Sequence, residues 1–125
     1  MNLISIIIPV YNVQEFLGKC VNSVSSQTYR NIEIILVNGG ATANSGDLCE
    51  TLANQDNRIS VMHQKNGGLA DARNTGTKVA HGDYLFYLDS DDYISRDCLE
   101  SLYNSIVEHD AEIAQTNFYY DYTDY

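Results

Sequence analysis

Basic side chains are scarce in this chain: seven Lys and Arg stand against 17 Asp and Glu, for a formal net charge of −10. Nucleic acid recognition wants a basic stripe to neutralise phosphates, and none is present, which argues against an unaided polyanion binder. Proline is nearly missing, with Pro9 alone, while 44% of the residues are hydrophobic. That balance fits a packed globular domain rather than a disordered segment. No apolar run approaches the roughly 20 residues of a membrane-spanning helix. The first residues also lack the cationic start and cleavage site of a secretory signal. Cysteine is sparse: Cys20, Cys49 and Cys98 are odd in number and far apart, which argues against a disulfide framework or a cysteine metal site. They read as small buried hydrophobes in a reducing compartment. The expected location is cytoplasmic, with peripheral contact at the inner face of a membrane left open. No repeat or linker divides the 125 residues, which suffice for one core and one domain.

What is present is alternation. Residues 3–8 form a nearly continuous β-branched run, as expected for a strand covered on both faces, and Pro9 ends it. Phe16, Leu17, Cys20, Val21 and Val24 then recur at the spacing of an amphipathic helix. Residues 32–37 predict a second strand. Leu48, Cys49 and Leu52 mark a second helix, with Asn44 or Ser45 placed to cap it. A short third strand covers 59–62. Leu69, Ala72, Gly76, Val79 and Ala80 give a third helical face whose small residues allow close approach to a sheet. Residues 83–88 predict a fourth strand, Leu99, Leu102, Tyr103, Ile106 and Val107 a fourth helix, and residues 111–120 a final β-rich segment. The tail over 119–125 stops without an ending signal, which would leave a bare sheet edge and suggests a truncated domain. The pattern predicts an α/β fold, Rossmann-like, with three α/β/α layers and a mostly parallel sheet. Ligands of such sheets bind outside the carboxyl ends of the strands. Attention therefore falls on 10–12, 38–40, 63–68 and 89–92.

The last of these carries the most chemistry. Asp89, Ser90, Asp91 and Asp92 close an aromatic and aliphatic strand with three carboxylates. Side chains alternate along a strand, so Asp89 and Asp91 should share a face if the extended geometry persists that far. Two oxygen ligands at the mouth of a buried strand suit a hard divalent cation, Mg²⁺ or Mn²⁺. The plainer role is an N-cap for the next helix, yet a cap needs one acceptor and three clustered carboxylates repel. A cation would also let an acidic protein hold a phosphorylated small molecule.

Four motifs in order resemble the N-terminal part of glycosyltransferase family 2, enzymes of the GT-A fold that use nucleotide-sugars. They are Ser5 to Asn12 (SIIIPVYN), Ser26-Gln27-Thr28-Tyr29, Asn66 to Asn74 (NGGLADARN) and Leu88 to Tyr93 (LDSDDY). The resemblance implies a transferase and covers essentially the whole chain, read as one nucleotide-sugar-binding domain over 1–125 without the acceptor-binding half. It implies that Pro9, Tyr11 and Asn12 line the base and ribose, where Tyr11 offers a flat apolar face and a hydroxyl tip. Tyr11 packing over the strand end is the alternative. Gly67 and Gly68 let backbone approach the ligand, and the following helix aims its N-terminal amides at anionic groups. Arg73 is placed near the base or diphosphate; an ion pair with Asp71 or an acid of 89–92 is equally consistent and compatible. Asp89 is assigned to the ribose, with Ser90 beside it, Asp91 to the metal, and Asp92 as an auxiliary ligand. His63 and Lys65 read as ordinary loop residues, His81 and His109 as surface residues.

One motif departs. Where the family typically has Asp-Asp-Gly-Ser-Thr-Asp, this chain has Asn38-Gly39-Gly40-Ala41-Thr42-Ala43. The second Asp of that pattern accepts a bond from the base, and Gly39 has no side chain to do so. Losing such a bond costs about 1.5–3 kcal/mol. Asn38 compensating, a different donor nucleotide and an impaired site all stay open. The resemblance thus implies inverting, metal-dependent hexosyl transfer, with UDP-sugar as the donor class and a saccharide, glycolipid or surface polysaccharide as acceptor. Its general base is expected beyond Tyr125, so the isolated chain should be inactive or weakly active. The rival readings are a degenerate, non-catalytic nucleotide-binding or oligomerisation module, with a homo-oligomer left open, and, less well supported, a phospho-acceptor signalling domain.

Overall fold

A computed structural model describes residues 2–10, 14–39, 43–64 and 68–109. Strands and helices alternate strictly: β1 (Ile4–Val10), α1 (Gln14–Ser25), β2 (Ile32–Asn38), α2 (Ala43–Gln55), β3 (Ile59–His63), α3 (Gly68–Val79), β4 (Tyr84–Tyr87) and α4 (Cys98–His109). The four strands make one all-parallel sheet in the order β3-β2-β1-β4. The β-branched runs predicted to be covered on both faces occupy its centre, where Ile6, Ile7, Ile8, Ile34 and Leu36 are fully buried.

Two cores follow from strand alternation. Ile4, Ile6, Ile8 and Val10 of β1, with Ile34 and Leu36 of β2, pack against Leu17, Cys20, Val21 and Val24 of α1, Cys49 of α2 and Leu99 of α4. Ile7, Ile35 and Val37 point the other way, onto Ala72 of α3. The layers are therefore α1, α2 and α4 on one face and α3 on the other, the three-layer arrangement that the pattern predicts. Gly76 seats α3: a Cβ there would lie 2.5 Å from Ile7 Cγ2, so the small residues of this helix do allow close approach. The three cysteines are buried and free, as expected.

Boundaries move at several places. Pro9 does not end β1, which continues to Val10 because Pro9 and Val10 still pair in register with Val37 and Asn38, and β2 accordingly extends one residue to Asn38. Asn44 and Ser45 lie inside the first turn of α2, which begins at Ala43, and so are not its cap. His63 is the last residue of β3 rather than a loop residue, because it pairs in register with Asn38. β4 ends at Tyr87, one residue short of the predicted 88, although Leu88 N–H still donates to Ile7 O at 3.1 Å. The β-rich segment at 111–120 lies outside the described residues. None of the described helices is long and apolar enough to cross a membrane.

Candidate functional site

The chain runs from β1 outward to β3, then returns over the sheet through α3 to place β4 on the other side of β1. Such a reversal opens a crevice at the carboxyl ends of the two diverging strands. Here those ends are Val10 of β1 and, two residues past Tyr87, Asp89.

Asp89 does not continue the strand. Asp92 N–H donates to Asp89 O at 3.0 Å, an i to i+3 bond that closes a turn over residues 89–92. The expected sharing of one strand face by Asp89 and Asp91 is thus replaced by a different cause of the same convergence. The reversal gathers all three acids, and one carboxylate oxygen from each of Asp89, Asp91 and Asp92 lies within 4.8 Å of the others. Burial, then Asp91 and Asp89, push the Asp92 carboxyl above its usual range. Half-exposed hard oxygens held against their own repulsion are a donor set that fits Mg²⁺ or Mn²⁺.

Arg73, one turn into α3, crosses the crevice and donates from Nη2 to Asp89 Oδ1 at 2.9 Å. The ion pair that the sequence allowed is therefore formed. Its side chains remain 41% and 45% exposed, so both can still reach a ligand. Ser90, beside it, is buried.

The other expected residues divide. Pro9 is buried in the last turn-ward positions of β1, and Gly68 opens α3. Tyr11, Asn12, Gly67 and Lys65 lie outside the described residues. Asn38 is buried and turned onto the α2 face, where its amide packs by Gly46. Glu50 can only accept, so His63 Nε2 carries the proton at 2.7 Å from Glu50 Oε1; its Nδ1 then accepts from Asn38 Nδ2 at 3.2 Å. One N–H of the Asn38 amide thus meets a protein partner, and buried Gly39 beside it brings no side-chain oxygen.

Sequence reasoning gave Cys20 only a core position and Gln27 only a place in a family motif, and gave Ser23 no role, yet all three touch the acid turn or the segment after it. Cys20, Ser23 and Gln27 lie along α1 and the turn after it. Cys20 Sγ donates to Asp89 O at 3.6 Å, and Ser23 Oγ accepts from Ile94 N–H at 3.2 Å. Gln27, fully buried, donates to Ser95 O at 2.5 Å and accepts from Leu99 N–H at 3.0 Å. The available signal was Ser23 beside Cys20 and Val24 on α1, and Gln27 just past the helix end.

A family model described as glycosyl transferase family 2 matches residues 5–125. The chain belongs to that family. Among its relatives, the glycosyltransferase GlyG of Streptococcus pneumoniae is 47% identical over 98% of this chain and 41% of its own length. GlyA of the same organism is 48% identical over 93% of this chain and 17% of its own. The chain therefore spans less than half the length of these curated relatives. S. aureus TarS, solved in complex with UDP, superimposes with a TM-score of 0.78 at 27% identity over 86% of this chain and 32% of that one. A TarS complex with UDP-GlcNAc gives the same TM-score at 28% identity. The family 2 resemblance and the GT-A type of fold both hold.

Proposed function

We propose that this chain forms the donor-binding portion of an inverting glycosyltransferase that moves a hexosyl group from a UDP-sugar to a saccharide or glycolipid acceptor. In this reading residues 1–125 hold the nucleotide-sugar, and the acceptor-binding half belongs to the remainder of the whole enzyme. One observation carries it: three carboxylates converge at the topological switch point of a family 2 fold, with an arginine from the facing helix on the first of them. The UDP and UDP-GlcNAc complexes of TarS support a UDP-sugar as the donor class.

Asp91, with Asp89 and Asp92, would hold Mn²⁺ or Mg²⁺. When bound, such an ion supplies charge neutralisation and Lewis acidity at the diphosphate leaving group. The remaining work falls to the chain. In this reading Asp89 takes the ribose hydroxyls, while Arg73, bonded to its carboxylate, offers its other N–H donors to the diphosphate or base. The N-terminal amides of α3 face the same crevice and favour anionic groups. Without cationic help, a chain of net charge −10 would repel a nucleoside diphosphate. The base that deprotonates the acceptor hydroxyl is assigned to no residue of this chain, which is expected to bind donor and to transfer little or nothing alone.

Gly39 favours a second reading, a degenerate module that no longer binds nucleotide, because the Asp position that reads the base has no side chain here. Calorimetric titration of UDP with and without Mn²⁺ separates the two. The transferase reading expects metal-dependent binding that weakens at least about tenfold in Asp91→Ala, the loss of one charge-assisted partner. Equal binding without metal contradicts it, and no binding of any nucleoside diphosphate at millimolar concentration by a folded chain favours the degenerate module.

A further inference from the structure

The turn that gathers Asp89, Asp91 and Asp92 is closed by one atom, the carbonyl oxygen of Asp89, which accepts Asp92 N–H at 3.0 Å. Three carboxylates within 4.8 Å repel, and opening this turn would relieve them. The same carbonyl has a second lone pair, and the Cys20 thiol from α1 donates to it at 3.6 Å. Cys20 is fully buried in the core beneath the sheet. The thiol is thus a fixed donor anchored on a rigid element and aimed at the closing atom.

The contact is not isolated. Ser23, one turn along, donates to Cys20 O at 2.7 Å and receives Ile94 N–H at 3.2 Å. Gln27 Nε2 bridges Ser23 O and Ser95 O, at 2.9 and 2.5 Å, while its Oε1 receives Leu99 N–H, a first-turn amide of α4. Thr28 N–H donates to Arg96 O at 2.9 Å. Residues 20, 23, 27 and 28 therefore grip the backbone at 89, 94, 95, 96 and 99. This ladder fixes the path from the acid turn to α4.

We infer that Cys20 is a positioning residue for the cation site, its thiol holding the Asp89 carbonyl so that the three carboxylates converge, with Ser23 and Gln27 securing the chain beyond. This rests on the cation reading given above. Cys20 needs no redox or nucleophilic part in this role.

The test compares the parent chain with Cys20→Val, which keeps bulk and loses the donor, and Cys20→Ser, which restores one. Mn²⁺ affinity is read by electron paramagnetic resonance without nucleotide, and Asp92 amide exchange by NMR without metal. Loss of one such bond should weaken Mn²⁺ binding about two- to tenfold in Cys20→Val, with Asp92 exchange accelerated by a similar factor and Ile34 exchange unchanged. Cys20→Ser should return both to within about twofold of the parent. Equal Mn²⁺ affinity and equal Asp92 exchange in parent and Cys20→Val would overturn the inference, as would failure of serine to restore either. A parent chain that binds no Mn²⁺ defeats the cation reading instead, and the metal-free exchange then decides the positioning role by the same criteria. Should Cys20→Val not fold, Ser23→Ala replaces it, with Ile94 exchange as the readout: faster exchange supports the ladder and unchanged exchange removes it.

Discussion

Arg73 Nη2 stands 2.9 Å from Asp89 Oδ1, so a cation on α3 is shared with the first acid of the turn that follows β4. The pair is nearly half exposed, and such pairs contribute under about 1 kcal/mol to stability. Arg73→Ala should therefore leave thermal melting almost unchanged. Binding should respond with opposite signs. Mn²⁺ alone binds slightly tighter, because Asp89 is released, while UDP with Mn²⁺ binds about tenfold weaker, because charge-assisted donors are lost. Paired titrations with metal alone and with metal plus UDP check this; a uniform loss of both would mean that Arg73 serves only to hold the turn.

Asp92 gives a prediction whose sign depends on pH. Burial and the neighbouring Asp91 and Asp89 raise its carboxyl in the folded chain above the ordinary 3.8. A raised carboxyl favours folding when protonated, so stability is present below 3.8 and lost as pH rises through the folded value. Asp92→Asn should accordingly raise the melting temperature of the metal-free chain at neutral pH and have no such effect near pH 3. Saturating Mn²⁺ should shrink the neutral-pH gain, since the cation offsets the same repulsion. Melting curves at the two pH values, with and without Mn²⁺, test all three statements.

At the opposite end of the sheet, Glu33 runs the other way. Burial pushes its carboxyl up, but bonds from Ser5 Oγ, His81 N–H and the His81 ring outweigh that and leave it below the ordinary 4.5. Its stability is present above 4.5 and lost as pH falls through the depressed folded value. Glu33→Gln should be less stable than the parent at pH 7, and the two melting temperatures should approach each other at acid pH. Parallel curves at every pH would remove the proposed tie between β1, β2 and the segment before β4.

Close approach at two glycines should tolerate no methyl group. A Cβ at Gly76 would lie 2.5 Å from Ile7 Cγ2, and one at Gly82 2.4 Å from Ser5 Oγ and 2.7 Å from Ser5 N. Overpacking of this kind costs about 1–3 kcal/mol. Gly82→Ala should be the worse of the two, because the obstacle includes backbone, and chemical denaturation of both variants measures the order.

The strands, their parallel arrangement and the close seat of α3 were legible in the sequence because β-branched runs and small helical residues act locally. The acids of the site were legible too, but for the wrong geometric reason: Asp89 and Asp91 meet through a turn closed by Asp92 N–H, and a turn leaves no period in the sequence. Asn38 was legible only as a candidate to replace the missing carboxylate; the contact of its Nδ2 with His63 Nδ1, and of the far ring nitrogen with Glu50 of α2, was not legible. Those contacts join residues 25 and 13 positions apart, and only the packed sheet brings them together. Cys20 looked like an ordinary core residue for the same reason. Its acceptor lies 69 residues away, and burial alone gave no hint of what the thiol touches.

The most direct measurement of the central claim is the phosphorus hyperfine coupling of Mn²⁺ bound to this chain in the presence of UDP. If the carboxylates of residues 89, 91 and 92 hold the ion against the diphosphate, the spectrum will show ³¹P coupling, and Asp91→Ala will abolish it while the fold persists. Mn²⁺ that binds with no phosphorus coupling, or a coupling that survives in Asp91→Ala, would contradict the account.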